Sequence, residues 1–249
     1  MRAWVALLKR DFKLTRTVFF VGLVINVLIA MLTIYLGMKA ENTLLMFIPV
    51  VAAVVFHVFY VPIIVFISLK TEANQLHLWL HNPQSASTLL ISKIVDGLIM
   101  IVISLLMLYV MSGLLMIIPK FSLIEADWTD TWISGLLIFP HIILISIMTG
   151  VLVMFFWALY QFLKFKIGRW SLLVVIGTVI LSGWIVALFE STKLYILLTQ
   201  WGSMGINFNF STFSLDPIQV YTGEYFYNFI IIIGLFFLSA WIIDNKVEV

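Results

Sequence analysis

Cysteine is absent from this 249-residue chain, charged residues make up only 10% of it, and no stretch is polar enough to form a separate water-soluble domain. Without cysteine there is no disulfide framework and no thiol chemistry, although the redox compartment stays open. A net charge of +2 is too small to mark a nucleic-acid binder. The signatures GxxxxGK[ST], HExxH, CxxC and GxSxG do not occur, so the chain has no Walker loop of its own, and catalysis has no visible home. The N-terminus, MRAWVALLKRDFKLTR, is broken by charges before any apolar run forms and does not read as a cleaved signal peptide.

What fills the chain instead is apolar: 63% hydrophobic residues and a mean hydropathy of +1.15, far above soluble domains. The solvent implied is a bilayer, and 1–249 reads as one all-α membrane domain. A helix needs about 20 apolar residues to cross the hydrocarbon core with every backbone group paired. Six stretches qualify, at 18–38, 44–69, 97–118, 132–161, 171–189 and 225–243, and none holds Asp, Glu, Lys or Arg. With the N-terminus inside, every Lys and Arg except Lys39, Lys120 and Lys193 falls on the inner side. The positive-inside rule therefore places both termini in the cytoplasm of a multi-pass cell-membrane protein.

At 100° per residue, Lys9, Arg10, Lys13 and Arg16 share one arc of the first sixteen residues, and Trp4, Leu8 and Phe12 share the other. That pattern predicts an interfacial helix lying flat before the first span. Asp11 falls inside the apolar arc, where it needs a base from elsewhere. Between the fifth and sixth spans, 190–224 is too apolar for a solvated loop and too broken by Gly202, Gly205 and Pro217 to span, so it predicts short outer re-entrant helices led by 194–201. His57 and His141 are the imidazoles inside spans. With no intramembrane carboxylate to pair with, each is expected to be neutral and bonded to a neighbouring helix. Pro49, Pro62 and Pro140 are expected to bend the second and fourth spans.

The polar interruption is LHNPQSASTLLISK, preceded by TEANQLHLWLH. As a helix, the latter gathers Ala73, Leu76, Trp79 and Leu80 on one face, an apolar knob that wants a partner. Pro83 stops that helix, and the Ser85 or Ser87 hydroxyl can cap the next. Lys93 and Asp96 are expected at the inner headgroups.

The sequence Leu80, Pro83, Ser85, Leu89, Leu90, Ser92, Lys93 resembles the first cytoplasmic loop of ABC-transporter type-2 permeases, and the order of elements along the whole chain is similar to theirs. The resemblance implies a connecting helix at 1–16, a coupling helix in the loop 71–93, outer short helices before the sixth span, and two permease copies or homologues working with two separate ATPase subunits that bind ATP and Mg. Leu76, Trp79 and Leu80 would then dock on the ATPase, with Pro83 and Ser85 setting the turn and Lys164, Lys166 and Arg169 supplying an electrostatic contact. Small permeases of this build resemble exporters of antimicrobial or cytolytic peptides in Gram-positive bacteria. The absence of a charged mid-membrane site suits an amphipathic or apolar substrate. The competing expectation is a membrane immunity or sensor protein that binds a toxic peptide without moving it.

Overall fold

The computed structural model describes residues 2–39, 44–74, 84–115, 128–206, 209–210, 213–214 and 218–247. Helices dominate: α1 (Arg2–Lys39), α2 (Leu44–Phe56), α3 (Tyr60–Ala73), α4 (Ala86–Leu115), α5 (Trp128–Ile167), α6 (Ser171–Glu190), α7 (Lys193–Thr199) and α8 (Thr222–Lys246). Among the described residues, five helical segments are long and apolar enough to cross a membrane, one of them running from 138 to 190. The protein is thus a multi-pass helical membrane protein. Its interior is assembled from α1, α3, α4, α5 and α8, and large apolar side chains such as Phe20, Val24, Ile103 and Phe237 lie exposed on the outside.

The 138–190 segment is not one straight rod. Gly168 adopts φ +56° within the 3-10 turn Gly168–Trp170, a left-handed conformation that glycine enters without a Cβ penalty. A continuous helix would hold residues 141 and 189 about 72 Å apart. Yet His141 Nδ1 lies 2.9 Å from the Tyr225 hydroxyl, and the Phe189 ring stacks 6.2 Å from that of Tyr227. The chain has therefore turned back on itself, and α5 and α6 reach the same end of the bundle. At the opposite end, the Ala86 amide donates to Asp244 Oδ1 (3.1 Å), and Arg10 pairs with Glu72, so both terminal segments lie there together.

Helix α1 is continuous from Arg2 to Lys39. Its first sixteen residues are therefore not a separate surface-lying element. Leu7, Asp11, Thr15 and Phe19, one helical turn apart, are all buried and run on into Asn26, Ala30 and Thr33. This stripe packs against α3 and α4, so docking on the bundle overrides the tendency to lie in the interface. Trp4 and Leu8 are half-buried, whereas Lys9, Arg10, Phe12, Lys13 and Arg16 are exposed.

The predicted second span is interrupted by the 3-10 turn His57–Phe59. Pro62 has no amide to offer the Val58 carbonyl, and Thr149 Oγ1 of α5 donates to that oxygen instead (3.4 Å), while Ser146 Oγ accepts from the Val61 amide (3.1 Å). A broken intramembrane helix is thereby repaired by its neighbour. Pro49 and Pro140, by contrast, sit inside uninterrupted helices. Val61 fills the slot between α4 and α5, whose walls at that level are Gly97 and Gly150.

The segment 190–224 departs from the all-α expectation. The expected leading helix is present as α7, capped by Thr192 Oγ1, which accepts from the Tyr195 amide (3.2 Å). Beyond it lie strands rather than helices: Ser203–Ile206 pairs antiparallel with Ile218–Tyr221, and Asn209–Phe210 with Phe213–Ser214. Tyr, Ile, Val and Phe suit paired extended chain, and Gly202 at φ +67° takes the left-handed turn into it, where Thr222 Oγ1 donates to its carbonyl (2.9 Å).

Candidate functional site

The loop that carries the proposed coupling residues leaves the bundle at the end of α3 and returns at the start of α4. Leu76, Trp79, Leu80 and Pro83 lie outside the described residues. What the structure describes is the anchorage on either side of them.

Four side chains from three helices form a ring of alternating charge there. Lys93 Nζ (α4) lies 2.7 Å from Glu72 Oε2 (α3) and 3.4 Å from Asp11 Oδ1 (α1). Arg10 Nη2 lies 2.5 Å from Glu72 Oε1 and 3.2 Å from Asp11 Oδ1. Each carboxylate thus sits between two bases, and each base between two carboxylates. Lys93 also donates to Ser68 Oγ (2.9 Å), and Ser92 Oγ donates to Asp11 Oδ2. Thr15 Oγ1 donates to Asp96 Oδ2 across α1 and α4 (2.7 Å). The side chains of Asp11 and Lys93 are 0% exposed and that of Glu72 9%, so water and salt screen this ring little.

Lys93 and Asp96, expected at the inner headgroups, are enclosed by protein. Both are buried, because the extended α1 covers them and supplies their partners. Asp11 finds the base it needed, and that base is Lys93. The sequence carried the clue of an acid on an apolar arc and a Lys93–Asp96 pair one turn apart at the start of a greasy helix. Glu72, Ser68 and Thr15 gave no such signal, since their role depends on which helix ends meet.

Ser85 holds the capping position ahead of α4, with its hydroxyl 3.4 Å from the Thr88 amide. The Asp244 carboxylate takes the Ala86 amide and ties α8 to the same helix start. Loss of such a cap costs about 1 kcal/mol. Asp244→Ala is accordingly expected to speed hydrogen exchange of the first α4 amides about five-fold, measured by mass spectrometry on the intact protein. Lys164, Lys166 and Arg169 stand exposed at the α5–α6 turn, at the end of the bundle that also holds the charge ring. Lys166 Nζ rests 4.8 Å from the Phe162 ring centroid.

A second feature lies within the spans. A cleft of about 350 Å³ between α1 and the α2–α3 break is walled by apolar side chains, with Asn26, His57 and Tyr60 as its polar residues. Asn26 and His57 are already engaged. The Ala53 carbonyl, 2.6 Å from His57 Nδ1, can only accept, so Nε2 is left to accept from Ser104 Oγ (3.0 Å), and Asn26 Nδ2 donates to the same Ser104 hydroxyl (2.9 Å). The Tyr60 hydroxyl lies near Ser104 but outside hydrogen-bonding geometry. His57 is thus bonded to a neighbouring helix, as expected, and His141 likewise to Tyr225 of α8. Among the described residues no group of three acids or imidazoles is placed to hold a metal. No protein-family model, curated protein or solved structure matches this chain.

Proposed function

We propose that the chain is the permease subunit of an ATP-driven exporter, moving an amphipathic or hydrophobic substrate, peptides included, out of the cell. The observation that supports this best is the charge ring of Arg10, Asp11, Glu72 and Lys93, which clamps together the two helices flanking loop 75–83 and the N-terminal helix. A loop so anchored can pass on a push: force applied to Leu76, Trp79 and Leu80 moves α3, α4 and α1 as one unit instead of being lost in a hinge. The second contact of the ATPase is electrostatic and falls to Lys164, Lys166 and Arg169.

In this reading the reversal at Gly168 divides the 138–190 segment into two crossings, which makes six in all and leaves both termini on the cytoplasmic side of the cell membrane. Two copies, or this chain and a homologue, pair with two separate ATPase subunits, which bind ATP and Mg. The apolar cleft and the absence of a charged mid-membrane site suit an apolar or amphipathic substrate.

The test is the interaction with the motor. Trp79→Glu puts a carboxylate on the apolar knob, and co-purification of an ATPase with the tagged protein from gently solubilised membranes is expected to fall at least ten-fold, with loss of export. Undiminished association and export in that variant would overturn the proposal.

A further inference from the structure

Helix α1 divides its bases between two surfaces. Arg10 turns inward to Glu72 and Asp11, whereas Lys9, Lys13 and Arg16 stay outward, and among the described residues none of these three pairs with a carboxylate. At 100° per residue the three fall within an arc of about 60°. On that arc the bases give way to apolar side chains. Arg16 and Thr17 head an open groove that continues along Phe20, Val24 and Leu28, each more than half exposed.

The geometry points to a binding site for an anionic phospholipid of the inner leaflet. The phosphate belongs at Arg16 and Lys13, where two unpaired cations offer charge-assisted hydrogen bonds. Arg16 to Leu28 spans about 18 Å of helix, against a hydrocarbon half-thickness of about 15 Å, so one acyl chain fits the groove along its full length. The cleft beside His57 shares the wall formed by Val21 and Ile25, so a second acyl chain has its own seat across that ridge. A cationic head with two adjoining apolar channels selects a two-chain anionic lipid over a soluble phosphate or a single-chain amphiphile. The upright α1 makes this arrangement possible. Were its first turns lying flat, Lys13 would be turned away from the line of the groove. The site does not depend on transport.

The whole protein in phosphatidylcholine nanodiscs, doped with acyl-chain spin-labelled phosphatidylglycerol or phosphatidylcholine, provides the test. The motionally restricted fraction is expected to favour phosphatidylglycerol, and Arg16→Gln and Lys13→Gln, both at exposed positions, should each reduce that preference about five-fold. Val24→Trp, which fills the groove, should release the labelled phosphatidylglycerol chain with both charges intact. Soluble glycerol phosphate at millimolar concentration should leave the restricted fraction unchanged. Equal restriction of the two lipids by the unaltered protein, a preference untouched by removal of both bases, or displacement by glycerol phosphate would each overturn the assignment.

Discussion

Lys93→Met is expected to lower the thermal unfolding temperature of the purified protein by about 10 °C, the largest effect of any single polar substitution in this bundle. The ammonium is fully enclosed and serves Glu72, Asp11 and Ser68 at once. Removing it leaves a buried Asp11 and a nearly buried Glu72 facing one another, with only the half-exposed Arg10 between them. Breaking a buried pair by deleting one partner costs about 3 to 5 kcal/mol, because the remaining charge keeps its desolvation penalty. That loss corresponds to a shift on the order of 10 °C for a chain of this size. The arrangement also predicts its own rescue. Adding Asp11→Asn to Lys93→Met removes the stranded charge and leaves the Arg10–Glu72 pair in place, so the double variant should recover at least half of the lost stability. Thermal unfolding of the three proteins in one detergent decides the matter, and a Lys93→Met protein as stable as the parent would refute the ring. If the ring anchors the coupling loop, the single variant should also lose export more steeply than ATPase binding, because the loop remains present but no longer grips the helices behind it.

Gly150→Ala is expected to have the second largest effect. A Cβ built there would lie 2.8 Å from Val61 Cγ1 and 3.7 Å from the Pro62 nitrogen. Val61 has little room to withdraw, since its other flank faces Gly97, where even a built Cβ would lie only 3.2 Å from the same methyl. The methyl group must push α3 away from α5, and overpacking of this kind costs about 1 to 3 kcal/mol. That displacement would also strain the bonds from Ser146 and Thr149 that repair the break at residues 57–59. Val61→Ala in the same chain makes the room that Gly150→Ala needs, so the pair should be more stable than Gly150→Ala alone. Additive destabilisation would show that Val61 is not the obstacle.

Much of the architecture was legible in the sequence because the bilayer leaves little choice. Runs of 20 apolar residues must be helical, and each expected span meets a helix or a helix pair whose described part covers most of it. The 3-10 break in the second span was not legible: Pro62 signalled an interruption, but its repair by Ser146 and Thr149 depends on which helix packs alongside. The strands between α7 and α8 were missed for a similar reason. Val, Ile, Tyr and Phe serve a buried helix or a strand equally well, and only the pairing of 203–206 with 218–221 settles which.

What the sequence determined by itself is the solvent of this protein and the apolar runs of chain that form helices in it, since hydropathy is additive along the chain and needs no partner to be read. The tertiary structure alone decided where the charges at the end of the bundle that gathers both terminal segments go. Asp11, Glu72 and Lys93 each look like a residue fit only for water, and they are buried because three helix ends converge and satisfy them mutually. Whether a charge can be buried is a property of its neighbours in space, and nothing in the order of residues 11, 72 and 93 states that they will meet.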